Sequence, residues 1–420
     1  MLFLKLLIRK LTTFIQHIQQ RPLIILNAMA LWGLLVIFVL PSQAGENNPA
    51  LPETQDRSSR QESGHIETEE ARTGHWRYGA YLDLGYTVSF NDPGNGLWRS
   101  KSTTFEVDKP KVNMAMGYVR KEALPESRWG LEFGVQGGVD VKGLAPDDNE
   151  AISGADFWRH LYRANLSYLF AVGNGIQVTG GLINSHIAYE SYHAIENPNY
   201  TRGYITDFVP YFFFGANNSS YPVSDTIDLA FYAVSGWNYL TNPNDTPSLS
   251  MQMNWKRSKK VTFTQNIYYG PDQEDTAIKY WRFFSDSILE WNCDPFLLAL
   301  SFDFGVEKQA EQMGNPRYYW LAGALWAKWQ ISDPLSLAFR PEFYYDPDGL
   351  STGAEQFIQA YTATLKYTIN PFAQHTIAAC LEYRYDRSTG SDGGFYEGSD
   401  NHLVPNQHLV MFALMWSFGK

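Results

Sequence analysis

The sequence predicts an all-β chain: a transmembrane, antiparallel, up-and-down β-barrel of 16 strands (range 14–18) behind a cleaved N-terminal signal. Three observations predict it. Segments of about ten residues alternate apolar and polar side chains from Trp76 to the end. The connections between them alternate long and short. The chain also carries 26 Tyr, 26 Phe and 13 Trp in 420 residues, yet its mean hydropathy is only -0.31. A barrel wall that is apolar outside and polar inside averages to such a value and conceals the membrane.

The N-terminus comes first. Residues 1–22 hold Lys5, Arg9, Lys10 and Arg21 and no acid. Leu23 to Leu40 is an almost wholly apolar run, followed by the small-x-small box Pro41-Ser42-Gln43-Ala44. That order is a basic region, an apolar region and a cleavage site, so residues 1–44 read as a secretory signal. An uncleaved membrane anchor is the rival. Cleavage after Ala44 removes four bases and no acid, so the formal charge goes from -11 to -15. Residues 45–75 are polar, with few large apolar side chains, and read as a flexible periplasmic lead-in. Residues 76–420 form the barrel.

The alternation fixes the strands. Leu335, Leu337, Phe339, Phe343 and Tyr345 share one face, against Ser336, Ala338, Arg340, Glu342, Tyr344 and Asp346. Ile377, Ala379, Leu381, Tyr383 and Tyr385 oppose Ala378, Cys380, Glu382, Arg384 and Asp386. Leu249, Met251, Met253 and Trp255 oppose Ser248, Ser250, Gln252, Asn254 and Lys256. Applied throughout, the pattern gives strands at 77–90, 111–119, 128–140, 160–172, 175–183, 211–222, 226–237, 247–256, 260–269, 279–291, 296–305, 317–330, 335–346, 357–369, 375–386 and 407–418. Most exceed the ordinary strand length of ~5–6 residues and suit a tilted membrane crossing of ~9–11. Aromatics such as Tyr78, Phe90, Tyr269, Trp291, Trp329 and Tyr367 sit at segment ends, where the two membrane interfaces would lie.

Each odd-numbered connection is longer than either neighbour. Bacterial outer-membrane barrels have this asymmetry, with short periplasmic turns and long external loops. A soluble sandwich has no reason to obey it. Turn chemistry agrees at Gly173-Asn174-Gly175, Ser258-Lys259, Asn292-Cys293-Asp294-Pro295, Ser332-Asp333-Pro334 and Asn370-Pro371. Only helices and closed barrels satisfy every backbone group in lipid, so the sheet must close.

Other classes are excluded on composition and motif. An acidic chain is no general nucleic-acid binder. Two cysteines, Cys293 in a turn and Cys380 in a strand, make neither a disulfide scaffold nor a four-ligand zinc site and read as free thiols. Of nine histidines, His17 lies in the signal, His65 and His75 in or at the end of the lead-in, and the other six at strand ends and in loops, without a Gly-x-Ser-x-Gly or His-Glu-x-x-His sequence. No catalytic residue, cofactor or metal is assigned. Acid pairs at Asp147-Asp148, in Asp272 to Asp275 and in Asp346-Pro347-Asp348-Gly349 suit turns better than divalent ions that bridge lipopolysaccharide.

A string of short pieces resembles the OmpL-like β-barrel porins (beta-barrel porin family two). These are Asn197-Pro198-Asn199-Tyr200, Pro210 to Gly215, Tyr221-Pro222-Val223-Ser224-Asp225, Ser235-Gly236-Trp237-Asn238, Tyr268-Tyr269-Gly270-Pro271, Arg340 to Gly349 and Glu382-Tyr383-Arg384-Tyr385-Asp386. The resemblance spans residues 76–420. It implies a Gram-negative outer-membrane barrel and a passive diffusion channel for small hydrophilic solutes or ions, and it transfers no catalytic residue. A non-channel barrel (adhesin, receptor or structural anchor) is the alternative, and a barrel enzyme a more remote one.

By the alternation, the lumen wall receives Glu132, Asp140, Arg340, Glu342, Asp346, Glu382, Arg384 and Asp386. It also receives Asp83, Asp228, Asp286, Glu290 and Asp303 against Arg77, Arg163, Lys256, Arg282, Lys328 and Lys366. The excess of acids predicts a mild cation preference. A structural ladder of ion pairs is the competing reading of Arg340/Glu342 and Glu382/Arg384/Asp386. The longest loop, 184–210, is the third long one, and general porins fold that loop inward. The analogy makes Glu190, Glu196, Arg202 and Asp207 candidate constriction residues, unless the loop is an external lid. Expected partners are outer-membrane lipid and lipopolysaccharide, small hydrophilic solutes, and the barrel-assembly machinery through the C-terminal strand. A homotrimer is left open, and no nucleic acid is expected.

Overall fold

In the computed structural model, residues 76–144, 155–173, 175–218, 221–244, 246–273, 276–310, 314 and 316–419 are described. The predicted signal (1–44) and lead-in (45–75), Asp147-Asp148, Asn174, Asp275 and Lys420 lie outside the described residues. The chain forms β1 (Trp76–Ser89), β2 (Pro110–Lys121), β3 (Trp129–Gly137), β4 (Leu161–Phe170), β5 (Ile176–Asn184), β6 (Phe212–Asn218), β7 (Tyr221–Ser224), β8 (Ile227–Val234), β9 (Ser248–Ser258), β10 (Val261–Pro271), β11 (Trp281–Cys293), β12 (Phe296–Lys308), β13 (Arg317–Ser332), β14 (Leu335–Asp346), β15 (Gln356–Ile369), β16 (His375–Thr389), β17 (Phe395–Glu397), β18 (His402–Val404) and β19 (Asn406–Phe418). Each strand of the main sheet pairs antiparallel with its neighbours in sequence, and β1 pairs with both β2 and β19, which closes the sheet.

β6 and β7 both pair with β8 and make one broken crossing, so the closed wall has 16 crossings. The predicted single strand 211–222 is therefore in two pieces. The hairpin β17–β18 stands apart in the last long connection, and its three-residue strands are too short for the alternation to reveal. Cys293 ends β11 instead of sitting in the turn. Both cysteines are free. The turns that join β9 to β10, β11 to β12 and β13 to β14 leave two residues outside the strands, whereas β5 and β6 are separated by residues 185–211. The long–short rule holds around the whole barrel.

The phase of the alternation is as expected. Tyr78, Phe133, Leu166, Phe231, Leu249, Phe339, Leu381, Phe412 and Leu414 are exposed on the outer wall. Their inward neighbours are buried, among them Asp83, Gln252, Asn254, Asn266, Arg340, Glu342, Glu382, Arg384 and Asp386. No helix among the described residues is long and apolar enough to cross a membrane. Strands cross it instead. A set of large aromatics faces inward too: Tyr268, Phe284, Trp320, Trp326 and Tyr344 are buried inside. They occupy even positions of their strands, in phase with Lys328 and Arg340; the sequence placed Tyr344 on that face, whereas the apolarity of the other four suggested lipid.

Candidate functional site

The barrel interior is organised by loop 3, residues 185–211, which leaves β5, crosses the lumen and returns to β6. Its local structure is set by short-range bonds. A single 3-10 turn forms at Ala194–Glu196, and one helical turn at Tyr204–Asp207 follows Gly203. Asn197 closes the first bend by accepting from Ser191 N (2.6 Å) and donating to Ser191 O (3.0 Å). Glu190 closes the second by accepting from Gly203 N (2.7 Å) and Thr206 Oγ1 (2.8 Å).

The loop reaches the opposite wall. Arg340 on β14 donates to Glu190 Oε1 (2.6 Å) and to Thr201 O (2.6 Å), and Trp326 Nε1 on β13 shares the same Glu190 oxygen (3.1 Å). Glu382 on β16 accepts from Tyr200 N (2.7 Å), Thr201 N (3.0 Å) and the Thr201 hydroxyl. Tyr204 OH donates to Asp386 (2.8 Å) and Tyr200 OH to Asp83 on β1 (3.0 Å). On the near side, Ala188 N donates to Asp286 (3.0 Å) and Gln252 donates to His186 O (3.0 Å). The Lys366 ammonium caps the 3-10 turn through Ile195 O (3.1 Å) and Asn197 O.

The wall charges beneath the loop are paired. Arg384 contacts Asp386 (2.7 Å) and Glu342 (3.1 Å), and Arg340 also approaches Glu342 (3.4 Å). All these side chains are fully buried. Burial would raise the Glu190 carboxyl, but the Arg340 guanidinium and the three donors to Glu190 outweigh it and hold it below the usual glutamate range. Ion pairs of this kind lose much solvation and persist only where geometry and further hydrogen bonds compensate.

The predicted constriction residues therefore divide. Glu190 joins the loop to the wall. Arg202 is buried and paired with Asp140 (3.3 Å). Asp207 pairs with Lys101 and accepts from Thr103 (2.7 Å) and Tyr211 (3.0 Å). Glu196 stays within its own bend, bonded to Ser191 and His193 (3.2 Å). Of the predicted wall residues, Arg340, Glu342, Glu382, Arg384 and Asp386 form one cluster. Glu132 lies apart on β3, accepting from Asn165 (3.3 Å).

Asp140 is a correction. It is not on a strand; β3 ends at Gly137, Gly138 takes φ +122, and Asp140 opens a helical turn, Asp140–Gly143. Asp346 ends β14 and spends its carboxylate on the next turn, accepting from Leu350 N (3.0 Å), Ser351 N (2.9 Å) and Thr352 N (2.6 Å). That is turn chemistry, as its Asp-Pro-Asp-Gly sequence suggests.

Sequence reasoning missed the first long loop. Trp98 Nε1 donates to Tyr204 OH (3.1 Å), Lys101 donates to Arg202 O (2.7 Å) and Ser102 donates to Asp207 O (2.6 Å). Loop 1 thus sits on loop 3 from above. No local pattern in 98–103 signals this.

A glycine on the wall makes room for the docked loop. At Gly85 on β1 a Cβ would lie 2.5 Å from the Tyr200 hydroxyl. Gly85→Ala is expected to displace Asn113 and push Tyr200 off Asp83, leaving that carboxylate only the long bond from Tyr81 (3.4 Å), at a cost of about 1–3 kcal/mol. The check is limited trypsin digestion, with faster cleavage after Arg202 than in the parent protein.

Residues 76–418 match the family described as "Putative beta-barrel porin-2, OmpL-like". The chain belongs to this family. No curated protein matches it. Among solved structures, the porin is similar to outer-membrane expressed OmpT of Vibrio cholerae (10% identity, 82% of this chain and 97% of that one, TM-score 0.49). It is also similar to the anion-selective porin from Comamonas acidovorans (10% identity, 82% and 99%, TM-score 0.49). A third is OmpF of Salmonella typhi in complex with daunomycin (10% identity, 82% and 97%, TM-score 0.49). This OmpL-like porin is an outer-membrane β-barrel and a porin-like channel for small solutes.

Proposed function

We propose that loop 3 is the constriction of this diffusion channel and that Glu190, Arg340, Glu342, Glu382, Arg384 and Asp386 set its width and charge. The observation that carries this reading is the span of the loop, tied at its far end to β14 and β16 through Arg340 and Glu382. Where a loop and wall are joined by several charge-assisted hydrogen bonds, the passage left open is set by those bonds rather than by barrel diameter. Cation preference is small on this reading, because the wall charges neutralise one another in pairs. No reaction is assigned.

The same proposal gives the porin its surroundings. Lipid and lipopolysaccharide surround the exposed apolar belt, and the assembly machinery reads β19. Assembly as a homotrimer is included, and the mass of the unboiled detergent complex tests it. Planar-bilayer recording tests the channel. Current steps of low unit conductance, with a reversal potential near zero in a salt gradient, are expected. A barrel that shifts on gels when boiled yet gives no steps would be an anchor or receptor instead.

A further inference from the structure

Among the described residues, the buried and nearly buried arginines of the interior are paired with acids, with one exception, whereas the buried Lys121 and Lys366 donate to backbone carbonyls. Arg202, Arg282, Arg340 and Arg384 each contact a carboxylate. Arg163 on β4 is 1% exposed and no carboxylate pairs with it among the described residues. A register shift between Gly134 and Val135 of β3 lies opposite it, and both Arg163 and its neighbour Tyr162 are buried against loop 3. Its guanidinium carbon lies 3.9 Å from the centre of the Tyr162 ring and 5.8 Å from that of Tyr192. Nη1 donates to Tyr162 O at 2.6 Å. Nε and Nη2 are buried and have no partner.

Those two atoms are not an arbitrary pair. Nε–H and Nη2–H point in parallel from one edge of the guanidinium, and this edge is the fork that takes both oxygens of a carboxylate or two oxygens of a phosphate. The bond from Nη1 and the two rings fix the plane of the group, so the fork is held ready. The acids of neighbouring elements are engaged elsewhere: Glu132 by Asn165, Asp140 by Thr104 and Arg202, and Glu196 by Ser191 and His193. A buried guanidinium is not normally left in this condition.

We propose that the Nε/Nη2 edge of Arg163 is an oxyanion-binding site in the porin interior, taking one carboxylate or phosphate group of a small solute. Tyr192 and His193 of loop 3 lie against Tyr162 (ring centroids 5.3 and 5.9 Å) and cover the site, so occupancy is coupled to the position of the loop. Its bearing on transport rests on the channel reading; binding itself does not.

The test is thermal unfolding of the full-length barrel in detergent, with chloride as the only other small anion. Inorganic phosphate is titrated in one arm and acetate in the other. A saturable rise in melting temperature is expected in at least one arm, and the arm that responds identifies a tetrahedral or a planar group. Arg163→Met is expected to abolish the response. Arg163→Lys, which keeps the charge but not the fork, is expected to bind about tenfold more weakly. Without oxyanion, Arg163→Met should melt no lower than the parent, because it removes a buried charge that no acid compensates. The proposal is overturned if neither arm saturates, if Arg163→Met responds like the parent, or if that variant melts well below the parent without oxyanion, which would mark Arg163 as a structural cation. Oxyanion binding without current steps would sink the channel reading alone.

Discussion

Excision of residues 190–203 is expected to raise the single-channel conductance of the porin severalfold. The segment holds Glu190, the 3-10 turn and the Tyr200–Arg202 stretch, so its loss removes the contacts to Arg340, Glu382 and Asp83 together. The 16-crossing wall does not depend on it, since each strand keeps its ladder to both neighbours. A barrel of that size leaves an aqueous passage when nothing fills it. The shortened loop should also leave Glu382 open to solutes in the pore, since Tyr200 and Thr201 no longer cover it. Recording the deletion variant beside the parent in the same bilayer gives the answer. Equal unit conductance in the two proteins would make the loop an external lid with no part in the constriction.

The second large effect is on stability. Arg340→Ala removes the base from Glu190 and one of the two bases near Glu342, both fully buried. Breaking a buried pair on one side costs roughly 3–5 kcal/mol, because the remaining charge has no compensation. The variant is expected to lose its fast-migrating folded band at a clearly lower temperature than the parent in unboiled gels. The double change Glu190→Met with Arg340→Met removes both charges, and it should recover most of that loss. The double variant would then keep a barrel whose loop has lost its tie to β14 while those to Glu382, Asp83, Asp386 and Lys366 remain, and its conductance should rise. If Arg340→Ala melts like the parent, the buried network contributes nothing to holding the loop.

Much of the fold was legible in the sequence because two simple regularities are physical requirements of a barrel in lipid. Side chains must alternate across a wall with different solvents on its faces, and chain reversals at one end can be tight while those at the other are free to grow. Leu335 to Asp346 shows the first, and the two-residue turns show the second. Broken crossings obey neither rule cleanly, which is why β6 and β7 were read as one strand and Asp140 was placed on another. The ladder of Arg340, Glu342, Arg384 and Asp386 was also legible, since register follows from alternation. The partners of that ladder were not. Glu190 meets Arg340, and Trp98 meets Tyr204, across large separations in sequence, and no local propensity encodes such contacts. Arg163 could be placed on the inner wall from its phase, but its lack of an acid is a property of the packed interior alone.

The positions of Asp83 and Glu382 carry a consequence for assembly. Asp83 is on β1 and Glu382 on β16, and β19 lies between these strands at the junction where the first and last parts of the chain meet. Tyr200 and Thr201 hold both carboxylates at once. The loop therefore acts as a brace across the seam: it can seat fully only after the cylinder has closed, and once seated it resists the unzipping of β1 from β19.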